Sequence, residues 1–77
     1  MEGRELAPRI VVDPTVRFGR PTVHGTRVPV DLILAKLAGG MTVQDVATDY
    51  AITIEDVLAV LAYAARVVAG EDVLVTG

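Results

Sequence analysis

The chain has 77 residues, of which 52% are hydrophobic, with one histidine and no cysteine. This length corresponds to one domain, whose core alone supplies only about 3–5 kcal/mol of stability. Small domains usually add disulfides, a metal or a partner subunit. Disulfides are excluded, and His24 is the only zinc ligand of the usual nitrogen or sulfur kind. The composition therefore favours an oligomer that holds neither a metal nor another cofactor.

The hydropathy pattern excludes a disordered chain and a membrane-spanning helix. Disordered chains combine low hydrophobicity with high net charge, unlike this sequence. The longest apolar stretch, residues 57–69, is interrupted by Arg66 and is shorter than the roughly 20 residues that a bilayer span requires. The N-terminus has no apolar run of the signal-peptide kind. We therefore expect a cytoplasmic protein, in keeping with the absence of cysteine.

Charge is unevenly distributed along the chain, whose net charge is −3 at pH 7. Residues 1–30 carry five arginines and three acids, while residues 31–77 carry seven acids and two basic residues. A basic segment on an acidic domain is typical of a phosphate or partner site. The alternative is that these arginines pair with the acids of the second half.

The N-terminal third carries strand and turn signals. We predict a loose leader over residues 1–8 and a single domain over residues 9–77. Residues 10–12 and 22–24 have high β propensity, and Asp13-Pro14 and Gly19 mark turns between them. Residues of about 10–28 are therefore predicted to form small strands joined by tight turns.

From Pro29 the apolar residues follow a helical period instead. Pro29 suits a helix start, and Gly39-Gly40 suits a helix end. Thr42 and Thr53 each precede an acid by three residues, as in a capping box. The predicted helices cover residues of about 30–38, 43–50 and 54–69, and a last strand is predicted at about 73–75. The expected fold is mostly α with short N-terminal β-strands.

The second and third predicted helices are separated by a three-residue joint, which is typical of a helix-turn-helix motif. A motif that starts at Val43 places the small Ala47 at its fifth position, where the helices touch. The required apolar positions are occupied by Val46, Tyr50, Ile52, Val57 and Val60. One departure is Ala51, because glycine is usual where φ is positive. The sequence predicts a three-helix, helix-turn-helix-like (homeodomain-like) core, with an ordinary αα-hairpin as the alternative.

The third helix is apolar on most sides and must be buried on most sides. Its predicted core-facing stripe comprises Ile54, Val57, Leu58, Leu61, Ala65 and Val68. A symmetric dimer would cover a second stripe, unless the N-terminal strands do so. The candidate dimer-interface residues are Val60, Tyr63, Ala64 and Val67.

The exposed start of the third helix is acidic, so it is a poor reader of DNA. Any DNA contact has to come largely from elsewhere in the chain. The candidates for DNA or phosphate contact are Arg17, Arg20, Arg27, Thr42, Gln44 and Thr53.

Catalysis is not expected. The chain contains no serine or cysteine, and His24 with Asp13 or Asp31 is the one conceivable acid–base pair. The acids of the second half stand at helix starts, where capping and the helix dipole explain them. We therefore predict that the protein is not an enzyme and that His24 is a turn or interface residue.

Residues 19–30, GRPTVHGTRVPV, resemble the signature of the domain-of-unknown-function 433 family. The resemblance extends over about residues 9–69. It implies a helix-turn-helix-like core and an antitoxin of the VapB type. Such a protein is a DNA-binding regulator that acts as a dimer, binds its own operator and neutralises a PIN-like nuclease toxin. The alternative is a protein-interaction module or a structural dimer that does not bind DNA.

The signature residues to which we assign structural roles are Gly19, Pro21, Gly25, Thr26, Arg27 and Pro29. The glycines provide positive φ or close approach, and the prolines stiffen the backbone. Thr26 is expected to bond its local backbone. Arg27 is expected to form a bidentate salt bridge with Asp49 or Asp56. The alternative is that Arg27 contacts a phosphate or a partner.

Overall fold

The structure is a computed structural model that describes the backbone of residues 4–76 and the side chains of residues 4–70. Within these residues, three short strands precede three α-helices. They are β1 (Arg4–Ala7), β2 (Ile10–Val12), β3 (Thr22–Val23), α1 (Val30–Ala38), α2 (Val43–Tyr50) and α3 (Ile54–Thr76). The strands form one antiparallel sheet in the order β1-β2-β3. The predicted mostly α fold with short N-terminal strands is confirmed.

The loose leader predicted over residues 1–8 is corrected for residues 4–7, while residues 1–3 lie outside the described residues. Residues 4–7 form β1, in which Arg4 pairs with Val12 and Glu5 with Val11 of β2. The tight connection to β2 is closed by the Arg9 backbone N–H, which donates to the Glu5 carboxylate at 3.2 Å. Local propensity does not reveal β1, because its stability depends on the hydrogen bonds that β2 supplies.

The structure also corrects the last strand predicted at residues 73–75. These residues belong to α3, which continues to Thr76. The predicted third helix ends near residue 69, whereas the helix in the structure passes through Gly70. A glycine inside a helix costs only about 1 kcal/mol relative to alanine, so it does not necessarily end one.

The core lies between the sheet and the helices, and within the described residues its buried hydrophobic side chains are all aliphatic. Its buried hydrophobic members are Ala7, Ile10, Val23, Val30, Ile33, Val46, Ala47, Ile52, Val57 and Val60. In the sheet, Ile10 is directly opposite Val23, and both are wholly buried. Within the described residues, no helix has both the length and the apolar character that crossing a membrane requires.

The joint between α2 and α3 begins at Ala51, which has a left-handed backbone with φ 55° and ψ 42°. Its N–H donates to carbonyl oxygens of the last turn of α2, as a C-terminal cap does. Alanine in this conformation is strained, because its Cβ approaches the backbone too closely. Alanine at position 51, where a glycine is usual, therefore destabilises this turn.

Ala51→Gly is expected to stabilise the fold by about 0.5–1 kcal/mol, because relief of the left-handed strain outweighs the entropy that glycine adds to the unfolded chain. Urea unfolding followed by circular dichroism measures the change. Ala62→Gly is the matched control, since it places the same substitution in the exposed middle of α3. There we expect destabilisation by about 1 kcal/mol. Equal effects of the two substitutions would contradict the assignment of strain to Ala51.

Candidate functional site

The first turn of α3 is closed by a reciprocal pair of hydrogen bonds. The Asp56 backbone N–H donates to the Thr53 hydroxyl at 3.0 Å, and the Thr53 N–H donates to the Asp56 carboxylate at 3.1 Å. This is a complete capping box. At α2 the Asp45 N–H donates to the Thr42 hydroxyl at 3.0 Å, and the Thr42 N–H does not donate back to the Asp45 carboxylate. Of the two T-x-x-D motifs, only the one at α3 thus forms a complete capping box.

The Asp56 carboxylate also fastens the sheet to α3. The Arg9 guanidinium donates to it at 2.9 Å, and the His24 Nε2 lies 3.7 Å from the same oxygen. The His24 backbone N–H donates to the Arg9 carbonyl at 2.8 Å. We call Arg9, His24, Thr53 and Asp56 the Asp56 cluster. It joins the β1–β2 turn and the end of β3 to the start of α3.

The charge of Asp56 is stabilised although its side chain is only 9% exposed. Burial by itself raises the pKa of this carboxyl group. Hydrogen bonds from the Thr53 backbone and from Arg9 outweigh the effect of burial. The net result is a pKa below the ordinary value of 3.8. The Asp56 cluster therefore has a structural role, because its hydrogen bonds join the sheet to α3 within the chain.

Arg27 does not have the structural role that the sequence predicts for it. It is exposed, and within residues 4–70 it forms no ion pair with Asp49 or Asp56; Arg9 pairs with Asp56 instead. Arg9 was not predictable for this role, since 47 residues separate it from Asp56 and no local pattern spans that distance. The alternative role of Arg27 in phosphate or partner contact stays a prediction.

The other signature residues shape the β3–α1 loop and the turn before it. Gly19 and Gly25 have φ of 78° and 73°, which favour glycine. The Thr26 hydroxyl donates to the Val23 carbonyl at 2.8 Å and accepts from the Val28 N–H at 3.0 Å. Pro21 precedes β3, and Pro29 is the residue before α1.

The candidates for DNA contact are spread over several elements. Arg20 forms an ion pair with Asp31 at 2.6 Å. This agrees with the alternative prediction, in which the N-terminal arginines pair with acids of the second half of the chain. Thr42 and Thr53 are helix caps, and Gln44 is exposed in α2. Arg17 and Arg27 are exposed, and no side-chain hydrogen bond joins either of them to another residue within positions 4–70.

The orientation of α3 differs from the predicted one. Val57 and Val60 are wholly buried, whereas Ile54, Leu58 and Leu61 are 44%, 52% and 39% exposed. Ala65 and Val68 are exposed as well, so the predicted core-facing stripe is wrong for every member except Val57. Both stripes satisfy the helical period, so the sequence cannot tell which one meets the core. We call Ile54, Leu58 and Leu61 the outer stripe of α3.

The predicted dimer-interface residues fall into two groups, one in the monomer core and the other on the surface. Val60 is part of the monomer core, so it is not available to a second subunit. Tyr63, Ala64 and Val67 line a groove of about 340 Å³ between the start of α1 and the second half of α3. The remaining lining residues are Arg20, Pro21, Val30, Asp31, Leu34 and Val68. We call this the α1–α3 groove.

Phe18 is the most conspicuous exposed side chain of the described residues, with 99% of its surface accessible. It lies in the one-turn segment Arg17–Gly19, in which all three residues have positive φ. Left-handed backbone costs a residue other than glycine roughly 1–2 kcal/mol, and bulky residues rarely adopt it. An unburied phenylalanine also forgoes about 1.5–3 kcal/mol of hydrophobic stabilisation. Contacts of Phe18 within its own chain do not offset these costs.

Comparison with known proteins places this fold in a family. Residues 10–64 match the family model described as "Protein of unknown function (DUF433)". The X-ray crystal structure of Rv2018 from Mycobacterium tuberculosis is 36% identical, with a TM-score of 0.63. The similarity covers 68% of this chain and 24% of that one, so it spans about a quarter of the Rv2018 chain. No curated protein matches the sequence. Because the family model matches more than half of the sequence, this chain belongs to the DUF433 family.

Proposed function

We propose that this protein is an antitoxin-like interaction module and that the outer stripe of α3 binds its partner protein. The observation that carries the proposal is the exposure of Ile54, Leu58 and Leu61 at i, i+4 and i+7 along one helix. Single exposed aliphatic residues are ordinary, whereas an aligned row forms a continuous apolar patch. Such a row is typical of a helix that docks into the groove of another protein.

The other side of α3 supports this use of the helix. Val57 and Val60 anchor it to the core, and the Asp56 cluster fixes its first turn. The outer stripe is therefore presented on a rigid element, which lowers the entropy lost on binding. We propose that α2 and α3 form a helix-turn-helix-like pair whose second helix contacts protein.

The charges around the outer stripe favour protein over DNA. The exposed Glu55 stands beside Ile54, and α3 has no basic residue before Arg66. A DNA groove would repel such a surface, because phosphates surround it. A partner with an apolar groove and a basic rim would complement it. The partner that the family resemblance suggests is a PIN-like nuclease encoded by the neighbouring gene.

Leu58→Asp is expected to abolish binding of that partner, because it places a charge in the centre of the stripe. The chain is co-expressed with the tagged product of the neighbouring gene, and co-purification and nuclease inhibition are measured. We expect at least a 10-fold loss of both for Leu58→Asp, corresponding to about 1.4 kcal/mol or more. Circular dichroism should show an unchanged fold, since half of Leu58 is exposed.

Ala35→Asp is the matched control, because Ala35 is exposed on α1 and the substitution adds the same charge. It should bind the neighbouring product as the wild type does. Equal binding by Leu58→Asp and the wild type would rule out the outer stripe as the binding surface. A wild-type chain that neither binds nor inhibits the neighbouring product would rule out the antitoxin role.

A second candidate function, DNA binding, is favoured by Arg17 and Arg27. Both are exposed in the basic half of the chain and lack a carboxylate partner among residues 4–70. Binding through them would be strongly salt-dependent. Fluorescence anisotropy with the upstream DNA would then show weaker binding for the Arg17→Ala, Arg27→Ala double variant than for Arg4→Ala, Lys36→Ala. The absence of salt-dependent binding by the wild type would exclude this function.

A further inference from the structure

We propose that two copies of this chain form a symmetric dimer in which Phe18 of each copy inserts into the α1–α3 groove of the other. The inference goes beyond the proposed function, since it uses neither the outer stripe of α3 nor a different protein. It keeps Tyr63, Ala64 and Val67 of the interface that the sequence predicts, and leaves out Val60, which belongs to the monomer core.

Phe18 has the properties of an inserting side chain. It is 99% exposed on a turn whose backbone is left-handed at three successive residues, Arg17, Phe18 and Gly19. Left-handed φ at non-glycine residues clusters at binding sites, where a bound state compensates for the strain. Aromatic residues, phenylalanine among them, are also enriched in the cores of protein interfaces.

The α1–α3 groove has the properties of a receptor for this side chain. Its volume is about 340 Å³, and its walls include Val30, Leu34, Tyr63 and Val67. These residues offer an apolar surface together with one aromatic ring, against which a phenylalanine packs well. Tyr63 is partly buried against the core, so this wall of the groove is held in place.

The inserting residue is close in sequence to one edge of its receptor. Arg20 and Pro21 line the groove, and they follow Phe18 by only two and three residues. A twofold dimer requires that a surface be complementary to itself. An exposed anchor and an apolar groove on the same chain meet this requirement, because one rotation seats both anchors together.

Charge complementarity favours a second copy as the occupant. Arg17, beside Phe18, is exposed and has no carboxylate partner within residues 4–70. Asp31 lines the groove, and its side chain is largely exposed although it already pairs with Arg20. Insertion of Phe18 brings Arg17 of one copy towards Asp31 of the other. The same aspartate would repel the phosphates of a nucleic acid.

Phe18→Ala is expected to raise the dimer dissociation constant about 100-fold or more, because each dimer loses two buried phenylalanines. Sedimentation equilibrium over a range of concentrations measures the constant. The monomer should keep its circular dichroism spectrum, since Phe18 is not buried in its own chain. Leu58→Ala removes an equally apolar side chain from the outer stripe and should leave the constant within about twofold of the wild-type value.

A mixing experiment tests the reciprocal geometry. Phe18→Ala lacks the anchor, and Val67→Asp places a charge in the groove. A heterodimer of the two variants keeps one intact contact, whereas each variant alone keeps none. We therefore expect the mixture to form more dimer than either variant at the same total concentration.

Several results would overturn the proposal. A wild-type chain that stays monomeric, or a Phe18→Ala variant that dimerises like the wild type, would do so. A mixture with no excess dimer would exclude the twofold arrangement. Loss of DNA binding by Phe18→Ala with an unchanged dimer would assign the anchor to nucleic acid instead. None of these outcomes depends on the partner of the outer stripe, so the two proposals can fail separately.

Discussion

Val60→Asp is expected to unfold the chain. Val60 is wholly buried among the aliphatic residues of the core, and none of the buried residues between positions 4 and 70 is basic and able to pair with a carboxylate there. An unpaired polar or charged group in such a site costs more than about 4 kcal/mol. A domain of this size has only about 3–5 kcal/mol of stability from its core, so the folded state should not survive. Far-UV circular dichroism and urea titration would show the loss.

Val67→Asp is the matched control for this prediction. Val67 lies two turns further along α3 and is 44% exposed in the α1–α3 groove. Its variant should remain folded and lose only self-association. A Val60→Asp variant that remained a folded monomer would contradict the structure. It would instead support the interface role that the sequence predicted for Val60.

Asp56→Ala is expected to lower the free energy of unfolding by about 2–3 kcal/mol, because it removes a helix cap and a charged hydrogen bond together. The carboxylate accepts from the Thr53 N–H and from Arg9, so its loss loosens both the first turn of α3 and the attachment of the sheet. Urea unfolding at neutral pH measures the change. Arg9 is half-exposed and regains hydration in the variant, which limits the cost.

Asp45→Ala is the control for Asp56→Ala, because Asp45 occupies the same place in the T-x-x-D motif of α2. Its side chain is exposed and makes no return bond to the Thr42 N–H. We expect this variant to lose no more than about 0.5 kcal/mol. Similar losses in the two variants would show that the Asp56 cluster does not clamp the sheet to α3.

The contribution of Asp56 should also depend on pH in a defined direction. Its pKa is lower in the folded chain than the ordinary value of 3.8, so the folded state favours the ionised carboxylate. The resulting stability is fully present above that ordinary value and is lost as the pH falls through the lowered pKa. The difference in unfolding free energy between the wild type and Asp56→Ala should therefore shrink below pH of about 4. A difference that grew on acidification would contradict this assignment.

Local chemistry in the sequence was sufficient to locate the first two helices. Pro29 and Gly39-Gly40 bound α1, and the caps Thr42 and Thr53 bracket α2, over the residues that the structure gives. These signals act within a few residues of the chain. Caps and turns are therefore readable without knowledge of the tertiary structure.

Interactions between distant segments were not readable in the same way. The Arg9–Asp56 ion pair spans 47 residues, and β1 depends on its pairing with β2. In α3 the choice between Leu58 and Val60 as the buried residue depends on where the sheet packs. A helix that is apolar on most sides satisfies either choice. Which residues form the outer stripe and the α1–α3 groove depends on this choice. These two candidate surfaces could therefore be identified only from the structure.

The most direct test of the proposed function is a methyl NMR titration of the chain with the product of its neighbouring gene. We expect the methyl signals of Ile54, Leu58 and Leu61 to shift or broaden with added partner, because these side chains form the outer stripe. The buried methyl groups of Ile10 and Ile33 should change little. Unchanged outer-stripe signals, with perturbation confined to residues around Arg17 and Arg27, would contradict the proposal that α3 is the protein-binding surface.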